Sequence, residues 1–232
     1  MKAVILAGGR GERLRPYTTI LPKPLMPVGD RPILEYLIRR LVGYQFDEIT
    51  ISVGYLASLI EAYFSDGSKY GARISYLRES KPLGTVGPIK QLQHENQDWL
   101  VMNGDVLSDI DFFKFRAFHL ETKADLTIAT FKRVNKIDFG VLDIDTHGYL
   151  QSYTEKPATD YQVSMGIYYC SPKALELIPS NSYYDLPTLA TELLSKGRKV
   201  ACYSHDGTWL DIGRPDDYEF AQNNIAELLG ED

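Results

Sequence analysis

Apolar residues are grouped in two rhythms along the first half of the chain. Lys2 to Leu6 is a short apolar run closed by glycines, which reads as a buried strand. Ile33, Leu34, Leu37, Ile38 and Leu41 recur at helical spacing behind Pro32, and predict a helix over 33–45. The rhythm then repeats: "EITISVGY" (48–55) as strand, "LASLIEAYF" (56–64) as helix, "RISYLRE" (73–79) as strand, "GPIKQLQHE" (87–95) as helix and "WLVMNGDV" (99–106) as strand. Three strand-to-helix alternations with short connections predict an α/β fold with parallel strands and crossover helices. In such folds ligands gather at the carboxyl ends of the strands.

After about Asp125 the pattern changes. "LTIATFKRV", "GVLDIDTHGYLQSYTEKP" and "VSMGIYYCS" read as strands joined by tight turns, with "DTHG" as a turn signal, and "DDYEFAQNNIAELL" reads as a closing helix. Neither a linker nor an internal repeat separates the halves. The expectation is a single domain over 1–232, in which 126–232 forms a mixed-sheet extension folded onto 1–125.

Composition narrows the function classes. Hydrophobic content of 44% with 24% charged residues is ordinary for a globular chain, and 25 basic against 31 acidic residues give a formal charge of −6. That balance disfavours a sequence-independent nucleic-acid binder. No apolar run reaches the roughly 18 to 20 residues that span a bilayer, so the expectation is a cytoplasmic protein with neither a nucleic-acid nor a membrane partner. Cys170 and Cys202 lack metal spacing and are expected to be small buried residues. His94, His119, His147 and His205 form no HxH or HExxH group, so histidine chemistry is not expected.

The stretch "AVILAGGRGERLRP" places three glycines and three arginines directly after the first strand. Glycine exposes backbone N–H groups that can cradle phosphate, and crowded arginines are unfavourable without an anion. As a dinucleotide fingerprint it has leucine at 14 where the third glycine belongs, and as a P-loop it lacks GK[ST].

The wider stretch "LAGGRGERLRPYTTILPKPLMPVGDRPILEY" resembles the opening signature of the sugar-1-phosphate nucleotidylyltransferases, nearest to mannose- or heptose-1-phosphate guanylyltransferase-like members. Gly8, Gly9, Gly11, Arg13, Leu14, Pro22, Lys23 and Pro24 carry the match. It continues in order through "PLGTVGPI", "NGD", "FGVLDID", "EKP", "MGIYY" and "WLDIGRPDDY", covering almost the whole chain. The resemblance implies a Rossmann-like three-layer sandwich of the GT-A-like nucleotidyltransferase kind, with nucleotide bound by 1–125 and sugar phosphate by 126–232.

It also implies roles. A phosphate oxygen of a sugar 1-phosphate would attack the α-phosphorus of an NTP and expel pyrophosphate, which requires positioning and charge neutralisation more than a protein nucleophile. Arg13, Lys23, Asp105 and Asp211 would carry the chemistry, the two aspartates also holding Mg²⁺. Leu6, Ala7, Gly8, Gly9 and Gly11 would wrap the nucleotide, together with Glu79, Pro82, Gly84, Thr85, Asn103 and Gly104. Gly140, Glu155, Lys156 and Gly166 would receive the sugar phosphate. "VSMGIYY" has Ser164 and Met165 where many guanylyl-transferring relatives show Asn-Ala, which leaves the sugar open.

If Glu79 points inward, its acceptor-only carboxylate suits the adjacent N1–H and N2–H donors of guanine; if it faces solvent, UTP and dTTP stay open. Two other classes are weighed. A catalytically silent nucleotide-sugar-binding relative is disfavoured by the presence of Arg13, Lys23, Asp105, Lys156 and Asp211. A dinucleotide-dependent oxidoreductase is disfavoured by the missing glycine. The expected assembly is a homodimer.

Overall fold

The computed structural model describes residues 1–79, 81–92 and 96–229. In chain order the strands and helices are β1 (Lys2–Ala7), β2 (Pro27–Val28), β3 (Arg31–Pro32), α1 (Ile33–Gly43), β4 (Glu48–Val53), α2 (Ala57–Phe64), β5 (Arg73–Arg78), β6 (Trp99–Asn103) and β7 (Val106–Ser108). They continue with α3 (Phe112–Thr122), β8 (Leu126–Lys136), β9 (Val141–Ile144), β10 (Leu150–Thr154), β11 (Ala158–Cys170), α4 (Pro172–Leu177), α5 (Leu186–Ser195), β12 (Val200–His205), β13 (Trp209–Asp211) and α6 (Pro215–Leu229).

A seven-stranded sheet in the order β12-β8-β11-β6-β1-β4-β5 organises the molecule. β6, β1, β4 and β5 run parallel to one another, and β11 is antiparallel to both β6 and β8. Alternation along the strands divides the core between two faces. Ala3 and Ile5 of β1, with Leu100 and Met102 of β6, pack on one face against Leu34 and Leu37 of α1, Phe64 of α2 and Phe115 of α3. Val4, Trp99 and Val101 point to the other face, which Leu175 of α4 and Leu189 and Leu193 of α5 cover. Strands buried on both sides must be apolar at every position, and this is why "AVIL" lacks a polar alternate. Fully burying one such aliphatic side chain contributes about 1.5–3 kcal/mol. The layers are therefore helix, sheet, helix, as the alternation predicts.

The second half extends the sheet and makes it mixed, as expected: β8, β11 and β12 continue the same sheet, β9 and β10 pair apart as a hairpin, and β13 pairs with β7 outside the main sheet. The segment expected as a helix over 87–95 is a 3₁₀ helix at Gly87–Leu92, its last three residues lying outside the described ones. The cause is a long-range pairing: the backbone N–H groups of Val86 and Gly87 both donate to the carbonyl of Tyr184, and Ile89 N–H closes a short turn onto Val86. α3, α4, α5 and β12 were not foreseen by the hydrophobic pattern, although Asp111, Ser171 and Asp185 each cap a helix N-terminus with a side-chain acceptor.

Cys170 is buried as expected, but Cys202 is exposed because β12 is an edge strand with a single neighbour. His119 is buried and structural: its Nδ1 lies 2.6 Å from Thr127 Oγ1 and its ring stacks on Tyr169. Among the described residues no helix is long and apolar enough to cross a membrane.

Candidate active site

β1, β4, β5 and β6 end side by side, and at their carboxyl ends lies a cavity of about 900 Å³. β1 is the strand at which the chain reverses its direction of travel across the sheet, from β4 and β5 on one side to β6 on the other. Parallel sheets open a crevice at such a point.

The floor is backbone. After Ala7 the chain turns through Gly8 to Gly11, and the close fit of its neighbours explains the glycines. A Cβ on Gly54 would lie 2.8 Å from Gly8 O, and one on Gly104 would lie 2.9 Å from Leu6 O. Gly11 adopts φ +61°, which glycine takes without a Cβ clash, and Thr18 Oγ1 donates to its carbonyl at 2.8 Å. That bond holds the glycine turn against the segment that carries Lys23.

Charge is arranged around this floor. Lys23 is only 8% exposed, and its ammonium pairs directly with Asp105 Oδ2. Asp211, the last residue of β13, lies beside Asp105 because β13 pairs with β7 and Ile212 N–H donates to the Asp105 carbonyl at 3.0 Å. The Asp211 carboxyl is pushed above the usual carboxylate range, first by desolvation and then by the Asp105 charge, against opposing pulls from Lys23 and Arg13. The Arg13 guanidinium stands over Gly213, where a Cβ would come within 3.1 to 3.3 Å of it. A cation pair and a carboxylate pair therefore meet at one wall.

Glu79, just past β5, points inward. Its Oε1 accepts from Ser52 Oγ at 2.9 Å and its Oε2 accepts the Leu83 backbone N–H at 3.0 Å. A Cβ on Gly8 would sit 2.7 Å from Oε1, so the carboxylate lies directly against the glycine turn. Two of its lone-pair sites are used, and acceptor capacity remains toward the cavity.

Every residue expected to bind nucleotide lines this cavity: Leu6, Ala7, Gly8, Gly9 and Gly11 on the floor, Glu79, Pro82, Gly84 and Thr85 on one side, Asn103 and Gly104 on the other. Arg13, Lys23 and Asp105 line it as well. Asp211 is adjacent through Asp105. Gly166, at φ +76°, packs against the Asn103 amide, 2.6 Å from where its Cβ would stand, and so supports the lining from behind.

Gly140, Glu155 and Lys156 are not in the lining. They lie on the β9–β10 arm, where Glu155 Oε2 accepts from Tyr153 Oη at 3.0 Å and Gly140 packs against the same tyrosine. The arm is hydrogen-bonded within itself and joined to the sheet through β8 and β11.

Several lining residues escaped the sequence reading. Ser52 near the carboxyl end of β4 and Gly54 and Tyr55 just after it had an available signal: in a parallel sheet every strand's carboxyl end faces the crevice. Lys81 lies between the matched residues Glu79 and Pro82. Tyr183 comes from the α4–α5 connection and carried no signal at all.

A carboxylate pair of this kind suits a hard divalent cation. Among the described residues no group of three or more His, Cys, Asp and Glu forms a closed metal site, so such an ion would need further ligands from its substrate.

A family profile described as nucleotidyl transferase matches residues 2–227. The chain is 35% identical to a UTP–glucose-1-phosphate uridylyltransferase of Synechocystis, over 94% of this chain and 61% of that protein. It is 33% identical to a mannose-1-phosphate guanylyltransferase of Mycobacterium tuberculosis, over 93% of this chain and 62% of that protein. The chain thus spans about three fifths of the length of these curated relatives. Among solved structures, HddC from Yersinia pseudotuberculosis superposes with a TM-score of 0.75 at 28% identity, covering 97% of this chain and 99% of the other. HddC has also been solved in complex with GMP-PN.

Proposed function

Because this chain belongs to the nucleotidyl transferase family, we propose that it transfers a nucleotidyl group from an NTP to a sugar 1-phosphate, releasing pyrophosphate. The observation that carries the proposal is the wall where Lys23, Asp105 and Asp211 meet beside a glycine floor, with Arg13 at its edge. The reaction needs its reactants held in line and its charge neutralised.

The glycine turn wraps the triphosphate with backbone N–H groups. Arg13 grips the β,γ-phosphates that leave, as a planar fork suited to two oxygens. Lys23 lies where charge develops at the α-phosphate or the bridging oxygen, and its pairing with Asp105 aims the ammonium before substrate arrives. Asp105 and Asp211 would hold Mg²⁺, which would supply neutralisation of the phosphate oxygens. Burial first, and then the Asp105 charge, raise the Asp211 carboxyl, and a cation at this place would relieve the second of these. Gly140, Glu155 and Lys156 receive the sugar phosphate from the arm.

For the nucleobase we favour guanine, because the inward Glu79 keeps acceptors facing the cavity, where guanine's adjacent N1–H and N2–H would donate. The sugar is then of the mannose or heptose type. A second reading, UTP with a glucose-type 1-phosphate, draws on the 35% identity to the Synechocystis uridylyltransferase.

A matrix of the five common NTPs against mannose, glucose, heptose, GlcNAc and MurNAc 1-phosphates with Mg²⁺, read by pyrophosphate release, tests these readings. Turnover with GTP and mannose or heptose 1-phosphate supports the first, and turnover confined to UTP replaces it with the second. Nucleotide binding without turnover in any cell of the matrix would remove the transferase assignment.

A further inference from the structure

The cavity wall beside Glu79 is formed by two segments far apart in sequence. The loop from Pro82 to Gly87 is laced to the segment before α5: Tyr184 N–H donates to Leu83 O at 2.9 Å, Val86 and Gly87 N–H both donate to Tyr184 O at 3.1 Å, and Leu186 N–H donates to Thr85 Oγ1 at 2.9 Å. The contact is close enough to demand glycine twice. Gly84, at φ +75°, would place a Cβ 2.6 Å from Tyr184 O, and Gly87 would place one 2.9 Å from Ser182 O. The Tyr184 side chain turns inward, buried and bonded to Glu192.

Its neighbour Tyr183 turns the other way. Tyr183 is 66% exposed, yet it lines the cavity together with Glu79, Pro82, Gly84 and Thr85. An aromatic side chain left in water at the rim of a cleft, next to a backbone held by four hydrogen bonds at Tyr184 and Leu186, is preorganised for a flat ligand. The glycine floor opposite lets such a ligand approach closely.

We infer that Tyr183 is the stacking face for the nucleobase, a binding residue contributed by the second half of the chain to the nucleotide. This rests on the reading of the cavity as an NTP site. Stacking is tolerant of base identity, because every base has a π-face, so Tyr183 supplies affinity while Glu79 discriminates by hydrogen bonding.

The test is titration of GTP and UTP, and of ribose 5-triphosphate as a base-free probe, into the protein and its Tyr183→Ala and Tyr183→Phe variants with Mg²⁺. Tyr183→Ala should weaken the better-bound NTP by about 5- to 150-fold, the range set by loss of one base–aromatic stack. Tyr183→Phe should stay within about twofold of the parent, because it keeps the ring. Ribose 5-triphosphate should bind parent and Tyr183→Ala alike. Equal NTP affinity in parent and Tyr183→Ala overturns the inference, as does an equal loss for the base-free probe, which would place the ring on ribose or phosphate. Failure of the parent to bind any NTP sinks the cavity reading itself and this inference with it. Should Tyr183→Ala not fold, Tyr183→Trp decides: its indole emission should change on adding the NTP and not on adding ribose 5-triphosphate, and the reverse pattern counts against stacking.

Discussion

Along β1 each residue from Ala3 to Ala7 is buried or half-buried, whereas along β9 and β10 every side chain is exposed. Both regions carry residues expected to touch substrate, but they hold them differently. The floor at Gly8 and Gly104 is fixed by neighbouring backbone on two sides, so its atoms cannot shift without moving the sheet. The arm keeps Phe139, 78% exposed, and Tyr149 in solvent and is ordered by its own ladder and a turn at Asp145. Position at the floor is thus a property of the core, and position on the arm is a property of the hairpin alone. Under the proposed reaction, the triphosphate meets a rigid cradle and the sugar phosphate meets the adaptable part.

The largest effect that would break this contrast lies on the floor. Asp105→Asn, which keeps the shape but removes a charge from both the Lys23 pair and the metal-binding carboxylates, should lower kcat by about two to three orders of magnitude, as should Arg13→Ala. Arg13→Lys should recover little, whereas Arg10→Ala and Arg15→Ala should be far milder. Initial-rate kinetics in both directions checks all five variants, and near-normal turnover in Asp105→Asn at saturating Mg²⁺ would take Asp105 out of the chemistry.

A smaller effect concerns stability. Gly84→Ala forces a positive-φ alanine against the Tyr184 carbonyl and should cost about 1–3 kcal/mol. Gly140→Ala meets only the side-chain ends of Tyr153 and Glu155 on the exposed arm and should stay within about 0.5 kcal/mol. Denaturant unfolding of the two variants compares the regions directly, and equal losses would mean that the arm is as tightly fixed as the wall.

Lys156→Ala should leave the fold intact and raise KM for the sugar 1-phosphate well above any change in KM for the NTP. Equal rises in both would detach Lys156 from the sugar phosphate.

The smallest effect is set by pH. Asp145 accepts the backbone N–H groups of His147 and Tyr149 and the Gln151 amide, and these bonds, that from Tyr149 foremost, hold its carboxyl below the usual 3.8. A carboxyl lowered on folding adds order to the turn above its unfolded value and loses that order as pH falls through the folded one. Amide exchange at His147 and Tyr149 should therefore quicken below about pH 4 while exchange in β1 does not.

How far the chain could be read in advance follows the same division. Buried strands and the glycine turn declare themselves, since a segment covered on both faces must be apolar and a crowded turn must be glycine. α3 does not: Phe112, Phe115 and His119 are buried while Phe113 and Leu120 are exposed, so its apolar residues lie all round and no period stands out. Cys202 was misjudged because burial depends on which strand becomes the edge. The 3₁₀ helix at Gly87 and the position of Tyr183 share one cause, a pairing between residues about a hundred positions apart that no local pattern encodes.

β11 lies between β6 and β8, and α4 and α5 cover the face that holds Val4, Trp99 and Val101. A nascent chain that has delivered only residues 1–125 therefore carries a half-sheet with an unpaired β6 edge and one greasy face bare. Such a species is prone to aggregate until the later strand and helices emerge. The boundary near residue 125 that the proposed substrate roles draw is not a boundary for folding, because the sheet that carries the cavity is completed by strands from beyond it.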